Sequence, residues 1–290
     1  MAREPETGKF SRVAMNADLH CHSTASDGAL SPTEVARLAK AGGVTLWSLT
    51  DHDELNGQRE ARAAAQALDM RYVAGVEISA TWAARTVHIV GLNVDADCPA
   101  LVQGLARIRQ DRTGRAKAIG AQLAALGMPD AGEGVLRYVS NPELISRTHF
   151  ARFLADEGYA ASIQDAFTRW LGDGKPGYVA HQWATLSEAV GWILAAGGIA
   201  VVAHPGRYAY TPVQFDAFFG EFIDLGGKAI EVVTGSHTPR QYAEYADVAR
   251  HYGFEASRGS DFHAPDEDAI APGNLPPLPA GLKPVWERWR

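Results

Sequence analysis

Several short stretches of this chain gather side chains suited to holding divalent metal ions. Asp18-Leu19-His20-Cys21-His22 alternates in type, so an extended backbone points Asp18, His20 and His22 to one side and Cys21 to the other. Two imidazoles then converge on one point. Asp261-Phe262-His263 repeats the device late in the chain, and Glu77 offers a carboxylate able to bridge two ions. Asp27, in Ser26-Asp27-Gly28, and His52, in Thr50-Asp51-His52-Asp53, supply further donors of the same types, as do His88 and His204. Imidazole mixed with carboxylate suits Zn, Mn or Fe.

The elements that must position these groups form a repeating unit of strand, loop and helix. His20, His22, His52, His204 and His263 each sit just beyond an apolar run expected to be a strand, and in a parallel α/β barrel that edge is where sites are built. The runs Val13 to Leu19, Val44 to Leu49, Arg71 to Val76 and Val87 to Leu92 read as the first four strands, with Glu77 ending the third and His88 opening the fourth. Ser31-Pro32-Thr33-Glu34 predicts a capped helix start, and an alanine-rich helix is expected from about Glu54 to Leu68. The rhythm resumes with a helix from Thr185, strand Ile199 to Ala203, helix Pro212 to Leu225, strand Ala229 to Val233, helix Pro239 to Tyr252 and strand Phe254 to Gly259. About seven βα units favour an α/β, barrel-like parallel sheet. Residues 12–95 and 180–290 are expected to form this barrel, and residues 96–179, where helical patterns dominate, an inserted helical subdomain capping the substrate. The proline-rich tail from Pro265 is expected to wrap the surface, anchored by Trp286 and Trp289.

A chain of 290 residues with 46% hydrophobic and 21% charged residues has the composition of an ordinary globular enzyme. Its net charge of -7 opposes a broad grip on duplex nucleic acid, while leaving room for a small anion held by local positive charge. No apolar run is long enough for a membrane span, and residues Met1 to Ser11 lack the apolar core of a signal peptide and read as a disordered lead-in. The two cysteines, Cys21 and Cys98, show no pairing motif, which fits a reducing, cytoplasmic location. Cys21 reads as a packed apolar group, and His181, His237 and His251 as ordinary hydrogen-bonded histidines.

Asp18-Leu19-His20-Cys21-His22-Ser23, Ser26-Asp27-Gly28, Thr50-Asp51-His52, Gly75-Val76-Glu77, Ala203-His204-Pro205 and Gly259-Ser260-Asp261-Phe262-His263 resemble, in order, the motifs of the PHP (polymerase and histidinol phosphatase) family. The resemblance implies a distorted barrel of seven βα units with two or three divalent ions, manganese foremost and zinc or iron as alternatives. It implies that His20, His22, Glu77 and Asp261 hold one ion, Asp27, His52 and His263 a second, and Glu77, His88 and His204 a third. Gly75-Val76-Glu77-Ile78-Ser79, Val87-His88-Ile89-Val90-Gly91-Leu92 and Arg147-Thr148-His149-Phe150-Ala151-Arg152 are similar to stand-alone bacterial members that act on nucleotide 3',5'-bisphosphates and RNA 5' ends. No additional polymerase domains are evident.

The helical insertion supplies the substrate side. Arg107, Arg109, Arg112, Arg115 and Lys117 crowd one helical stretch, and Arg112 and Arg115, three apart, share a face able to fork onto a phosphate. Arg147 and His149 lie in a polar notch between Ile145 and Phe150 and are expected to touch substrate. The expected reaction is phosphoester hydrolysis by a metal-activated hydroxide without a side-chain nucleophile, with Asp18 and Asp51 orienting ligand imidazoles. The substrate expected is a nucleotide 3',5'-bisphosphate, with short single-stranded RNA 5' ends beside it. A histidinol-phosphate phosphatase and a non-catalytic metal scaffold are the rival readings, and the sequence leaves protein partners open.

Overall fold

A computed structural model describes residues 15–265 and 270–289; the expected N-terminal lead-in lies outside the described residues. Strands β1 (Ala17–Asp18), β2 (Leu46–Trp47) and β3 (Arg71–Tyr72) form a small parallel sheet, with helices α1 (Pro32–Ala41) and α2 (Gln58–Ala67) in the connections. The expected box at α1 is present: Ser31 accepts from Glu34 N while the Glu34 carboxylate accepts from Ser31 N. Helix α2 begins later than expected, because the Glu54 carboxylate accepts from Leu55 N and Asn56 N and holds those residues in a turn.

A six-stranded sheet has the order β6-β4-β5-β7-β8-β9. Here the expectation of a purely parallel sheet fails. Strands β4 (Gly75–Trp82) and β5 (Arg85–Leu92) are an antiparallel hairpin, and β5 also runs antiparallel to β7 (Ile199–Val202). The two-residue turn is Ala83-Ala84, both with positive φ, the geometry that matches the twist of paired strands. Alanine gives no glycine or asparagine signal for it. Glu77 therefore lies inside a strand rather than at its end, and His88 stands directly opposite Ser79 across the hairpin. Strands β8 (Ala229–Thr234) and β9 (Glu255–Gly259) pair in parallel beyond β7, and β6 (Ala184–Thr185) pairs with β4.

Two seams join the sheets. Leu19 N donates to Arg258 O, His22 N to Phe262 O and Asp261 N to His20 O, while Asp53 N donates to Glu77 O and Glu77 N to Asp51 O. These seams carry the metal-type residues of both ends of the chain to one place.

Between β5 and β6 lie α3 (Pro99–Ala125), α4 (Ala131–Gly134), α5 (Arg147–Asp156) and α6 (Ile163–Ala166). The C-terminal half of α3 packs Ile119 and Leu123 with Phe150, Phe153 and Leu154 in a separate small core. Its N-terminal half is different: Leu101, Leu105 and Ile108 belong to the main core with Val190 and Ile193 of α7 (Leu186–Ala195). Gly104 is needed at that crossing, since a Cβ there would meet the Trp192 ring at 2.4 Å. The long helix is thus a beam between the two cores. Helices α8 (Pro212–Asp224) and α9 (Pro239–Tyr252) complete the alternation. The tail docks where expected, with Trp286 buried beside Leu19 and Val201.

Candidate metal centre

Three overlapping groups of imidazole and carboxylate converge where the seams meet. In each, one donor atom per residue lies within 4.8 Å of the others: His20, His22, Glu77 and Asp261; His22, Asp27, His52 and His263; and His52, Glu77 and His88. His22 and Glu77 each serve two groups, as a bridging arrangement requires. His204 stands beside the third group, its Nε2 3.0 Å from Glu77 Oε1 and 3.3 Å from His88 Nδ1. The structure thus brings together every residue expected to hold metal, and it adds His22 to the second group and His52 to the third.

The packing is too dense in lone pairs to be satisfied by protein alone. His20 Nε2 and His22 Nε2 approach to 3.2 Å, and both face the Glu77 and Asp261 carboxylates at 3.2 to 3.3 Å. His22 Nδ1 and Asp27 Oδ1 are buried and have no hydrogen-bond partner among the described residues, and His52 Nδ1 and Glu77 Oε2 meet each other at 2.9 Å without hydrogen-bond geometry. Buried polar atoms left in this state cost free energy, on the order of 1 to 3 kcal/mol each, which bound cations would remove. The donor set fits divalent ions of the zinc and manganese type.

Electrostatics within the cluster point the same way. Burial opposes charge on His22, yet hydrogen bonds to Asp261 and Glu77 raise its pKa to about 10. Burial resists ionisation of Asp261 and Glu77 too, and the surrounding imidazoles more than offset it, holding both carboxyls well below their usual range. Burial and the Arg207 guanidinium pull His204 down to about 3, so it is a neutral imidazole with lone pairs to give. Both His204 and Asp261 adopt positive φ, 27° and 56°, an uncommon backbone region for residues with a Cβ. Hydrogen bonds from His204 N to Glu231 and from Asp261 N to His20 O hold them there.

Glu231 is the support that sequence reasoning missed. Its Oε1 accepts from His20 Nδ1 at 2.8 Å and its Oε2 from His204 N at 2.7 Å, fixing the tautomer of one imidazole and the backbone of another. The signal was a lone charge inside the apolar run Ala229-Ile230-Glu231-Val232-Val233, since a buried carboxylate needs partners. Asp18 and Asp51 act otherwise than expected. Asp18 accepts from Ser260 N and Gly273 N, and Asp51 from Ser23 N, Ser23 Oγ and Ser26 Oγ, so they organise the loops that carry ligands rather than the rings themselves. Arg207, also missed, donates from Nη1 to Asp261 Oδ2 at 3.0 Å and faces the cleft.

A cleft of about 590 Å³ opens over the cluster, with Arg112, Arg115 and Arg147 in its wall beside His52, His88, His204 and His263. The three guanidinium groups differ in their partners. Arg112 is buried and ion-paired with Asp53, and its Nη2 also donates to Ser79 Oγ. Arg115 is buried over the Trp183 ring and donates to Val179 O; burial and the charges of Arg147 and Arg112 pull its pKa down to about 9. Arg147 contacts Leu171 O and the half-exposed Asp173. His149 is buried in α5 as the reciprocal partner of the Ser146 cap, its Nδ1 accepting from Ser146 N, and burial lowers its pKa to about 4. Its Nδ1 is thus committed to the cap, and His149 is not among the residues that line the cleft. Arg107 and Arg109 are paired with Glu188 and Glu143, and Lys117 is exposed.

A histidine and carboxylate cluster at the floor of a cleft on a mixed α/β fold defines a class of protein suited to divalent metals. The chain belongs to the PHP domain family, whose model matches residues 18–169. It is 48% identical over 93% of its length to the 3',5'-nucleoside bisphosphate phosphatase of Chromobacterium violaceum, covering 95% of that protein. It is 38% identical over 94% of its length to the 5'-3' exoribonuclease Rnm of Escherichia coli, covering 93% of it. A solved structure described as an amidohydrolase from Chromobacterium violaceum, with bound sulfate and no metal, superposes with a TM-score of 0.91 at 48% identity, covering 94% of this chain and 95% of that one.

Proposed function

We propose that the chain is a metal-dependent phosphoesterase that removes a phosphate from a nucleoside 3',5'-bisphosphate. The observation that carries this reading is the division of a single cleft: a cation-seeking cluster lies at its floor, and Arg115 and Arg147 stand in its wall with, among the described residues, one half-exposed carboxylate between them. A dianionic phosphate is the natural counterion for that wall, because it relieves the repulsion between the guanidinium groups and accepts bidentate hydrogen bonds. The relationship to a bisphosphate phosphatase over nearly the whole chain supports the same substrate class.

His20, His22, Glu77 and Asp261 would hold one ion, Asp27, His52 and His263 with His22 a second, and Glu77, His88 and His204 a third, manganese foremost. Bound ions supply positive charge for the scissile phosphate and acidify a water so that it can attack near neutral pH. Glu231 fixes the His20 ring, and Arg207 adds positive charge beside Asp261 where negative charge grows on the phosphoryl oxygens. Arg115 and Arg147 hold the phosphate that does not react and so fix the sugar over the cluster. Residues 96–179 act as the cap, and the two seams support a distorted barrel beneath it. No helix among the described residues is long and apolar enough to cross a membrane, and free Cys21 and Cys98 fit the cytoplasm.

The test is phosphate release from adenosine 3',5'-bisphosphate, AMP and histidinol phosphate, with and without chelator. The bisphosphate should be favoured by about ten- to a hundredfold in kcat/KM, the scale of one charge-assisted contact, and chelator should abolish release. Equal rates on all three would replace this reading with a general phosphatase.

A further inference from the structure

The donor group of His22, Asp27, His52 and His263 differs from that of His20, His22, Glu77 and Asp261 in what surrounds it. In the latter, His20 leans on Glu231 of β8 and Asp261 on Arg207 from the turn after β7. Asp27 instead meets the helical segment between β5 and β6. Its Oδ2 accepts from Ser146 Oγ at 2.9 Å, and its backbone oxygen accepts from Arg152 Nη1 of α5 at 2.7 Å. Two residues earlier, Ala25 O accepts from Asn141 Nδ2 at 3.2 Å. Asp27, Ser146 and Arg152 are all buried, so these bonds are shielded from competing water. His52 is approached from the same segment, because the next residue, Asp53, is ion-paired with Arg112 of α3 and its backbone oxygen accepts from Arg109 Nη1 at 2.8 Å.

The two carboxylate oxygens of Asp27 thus have different partners. Oδ2 is committed to Ser146, while Oδ1 faces the cluster, 3.5 Å from His263 Nε2 and 4.0 Å from His22 Nδ1, without a hydrogen-bond partner among the described residues. A carboxylate turns about one bond, so a hydrogen bond that holds one oxygen also sets where the other points. The Ser146 hydroxyl has a single proton to give. His149 Nδ1 stands 3.4 Å from it and already accepts from Ser146 N, which leaves the proton for the closer carboxylate. The same hydroxyl accepts from Thr148 N, so one group both starts α5 and aims Asp27. A ligand whose direction is set beforehand need not be ordered when an ion binds, which strengthens binding.

Resting on the ligand reading above, we propose that Ser146 and Arg152 are positioning residues for Asp27, so that the helical segment completes the second metal group.

The test is stepwise removal of manganese from the loaded protein by a chelator, followed by elemental analysis of the ions retained. Ser146→Gly removes the hydroxyl, and glycine at a helix start costs far less than alanine does. Arg152→Met drops the donor and keeps an apolar stem of similar length. Each should weaken one ion by about tenfold and leave the others as in wild type, whereas Ser146→Thr, which keeps the hydroxyl, should match wild type. With Asp27→Ala already in place, Ser146→Gly should have no further effect on metal retention, an outcome that loss of helix stability alone does not give. The inference is overturned if Ser146→Gly and Arg152→Met hold manganese as wild type does, if they weaken every ion equally, or if Ser146→Gly costs as much with Asp27→Ala as without it. Asp27→Ala protein that keeps every ion at wild-type affinity sinks the ligand reading itself. Loss of an ion in Asp27→Ala beside full retention in Ser146→Gly and Arg152→Met sinks this inference alone.

Discussion

At the floor of the cleft, Glu77, Asp261 and Asp27 stand among imidazoles that face a carboxylate at 2.8 to 3.5 Å, on strands and on the segments that follow them, tied together by backbone seams. In the wall, Arg112, Arg115 and Arg147 come from helices and, among the described residues, have between them the carboxylates of Asp53 and the half-exposed Asp173. The first region has an excess of lone pairs and the second an excess of positive charge. That difference gives each a distinct appetite, for cations below and for an anion above. It also separates the arginines, since among the described residues Arg112 is ion-paired with Asp53 and Arg115 makes no ion pair.

The largest effects should come from the floor. His20→Ala or Asp261→Ala should lower kcat by on the order of a hundred- to a thousandfold and reduce the bound metal found by elemental analysis of a protein that otherwise carries at least two ions. Retention of wild-type kcat with full metal content would break the ligand reading. Arg112→Ala tests the inner edge of the wall. It leaves Asp53 buried without its partner, so stability should fall by about 3 kcal/mol in denaturant titration and activity should fall on every substrate. A variant that stays as stable as wild type and loses only the bisphosphate would move Arg112 into the anion site.

Smaller and more selective effects should follow. Glu231→Gln cannot accept from both His20 Nδ1 and His204 N through carboxylate oxygens, and metal affinity should drop by about ten- to a hundredfold with the fold intact. Unchanged metal titration would reduce Glu231 to packing. Arg115→Ala should cost about tenfold in kcat/KM on the bisphosphate while leaving monoester hydrolysis alone. Equal losses on both would dissolve the contrast between floor and wall.

Much of the floor was legible in sequence because strands alternate. His20-x-His22 places both imidazoles on one side of an extended segment whatever it packs against, whereas Asp261 joins His263 in the cluster through a positive-φ backbone that alternation does not foresee. The helix starts at Ser31 and Thr185 were legible for a similar reason, since a capping box closes within four residues. The β4–β5 hairpin was not, because Ala83-Ala84 has no residue type that favours positive φ, and only pairing along both strands holds the turn. The arginine face of α3 was half legible. Spacing put Arg112 and Arg115 together, but spacing does not reveal that Asp53 meets Arg112 from 59 residues away.

The sequence by itself determined which side chains could hold metal, which helices are capped and where strands and helices alternate, because each of these rests on contacts within a few residues. The tertiary structure decided the rest: that Glu231 supports His20 across 211 residues, that Asp51 ties down a loop instead of an imidazole, that α3 bridges two cores, and that one arginine is neutralised while its neighbour is left to seek an anion. Those outcomes depend on which surfaces meet when the chain closes, and a buried charge acquires its role only from the partner that arrives beside it.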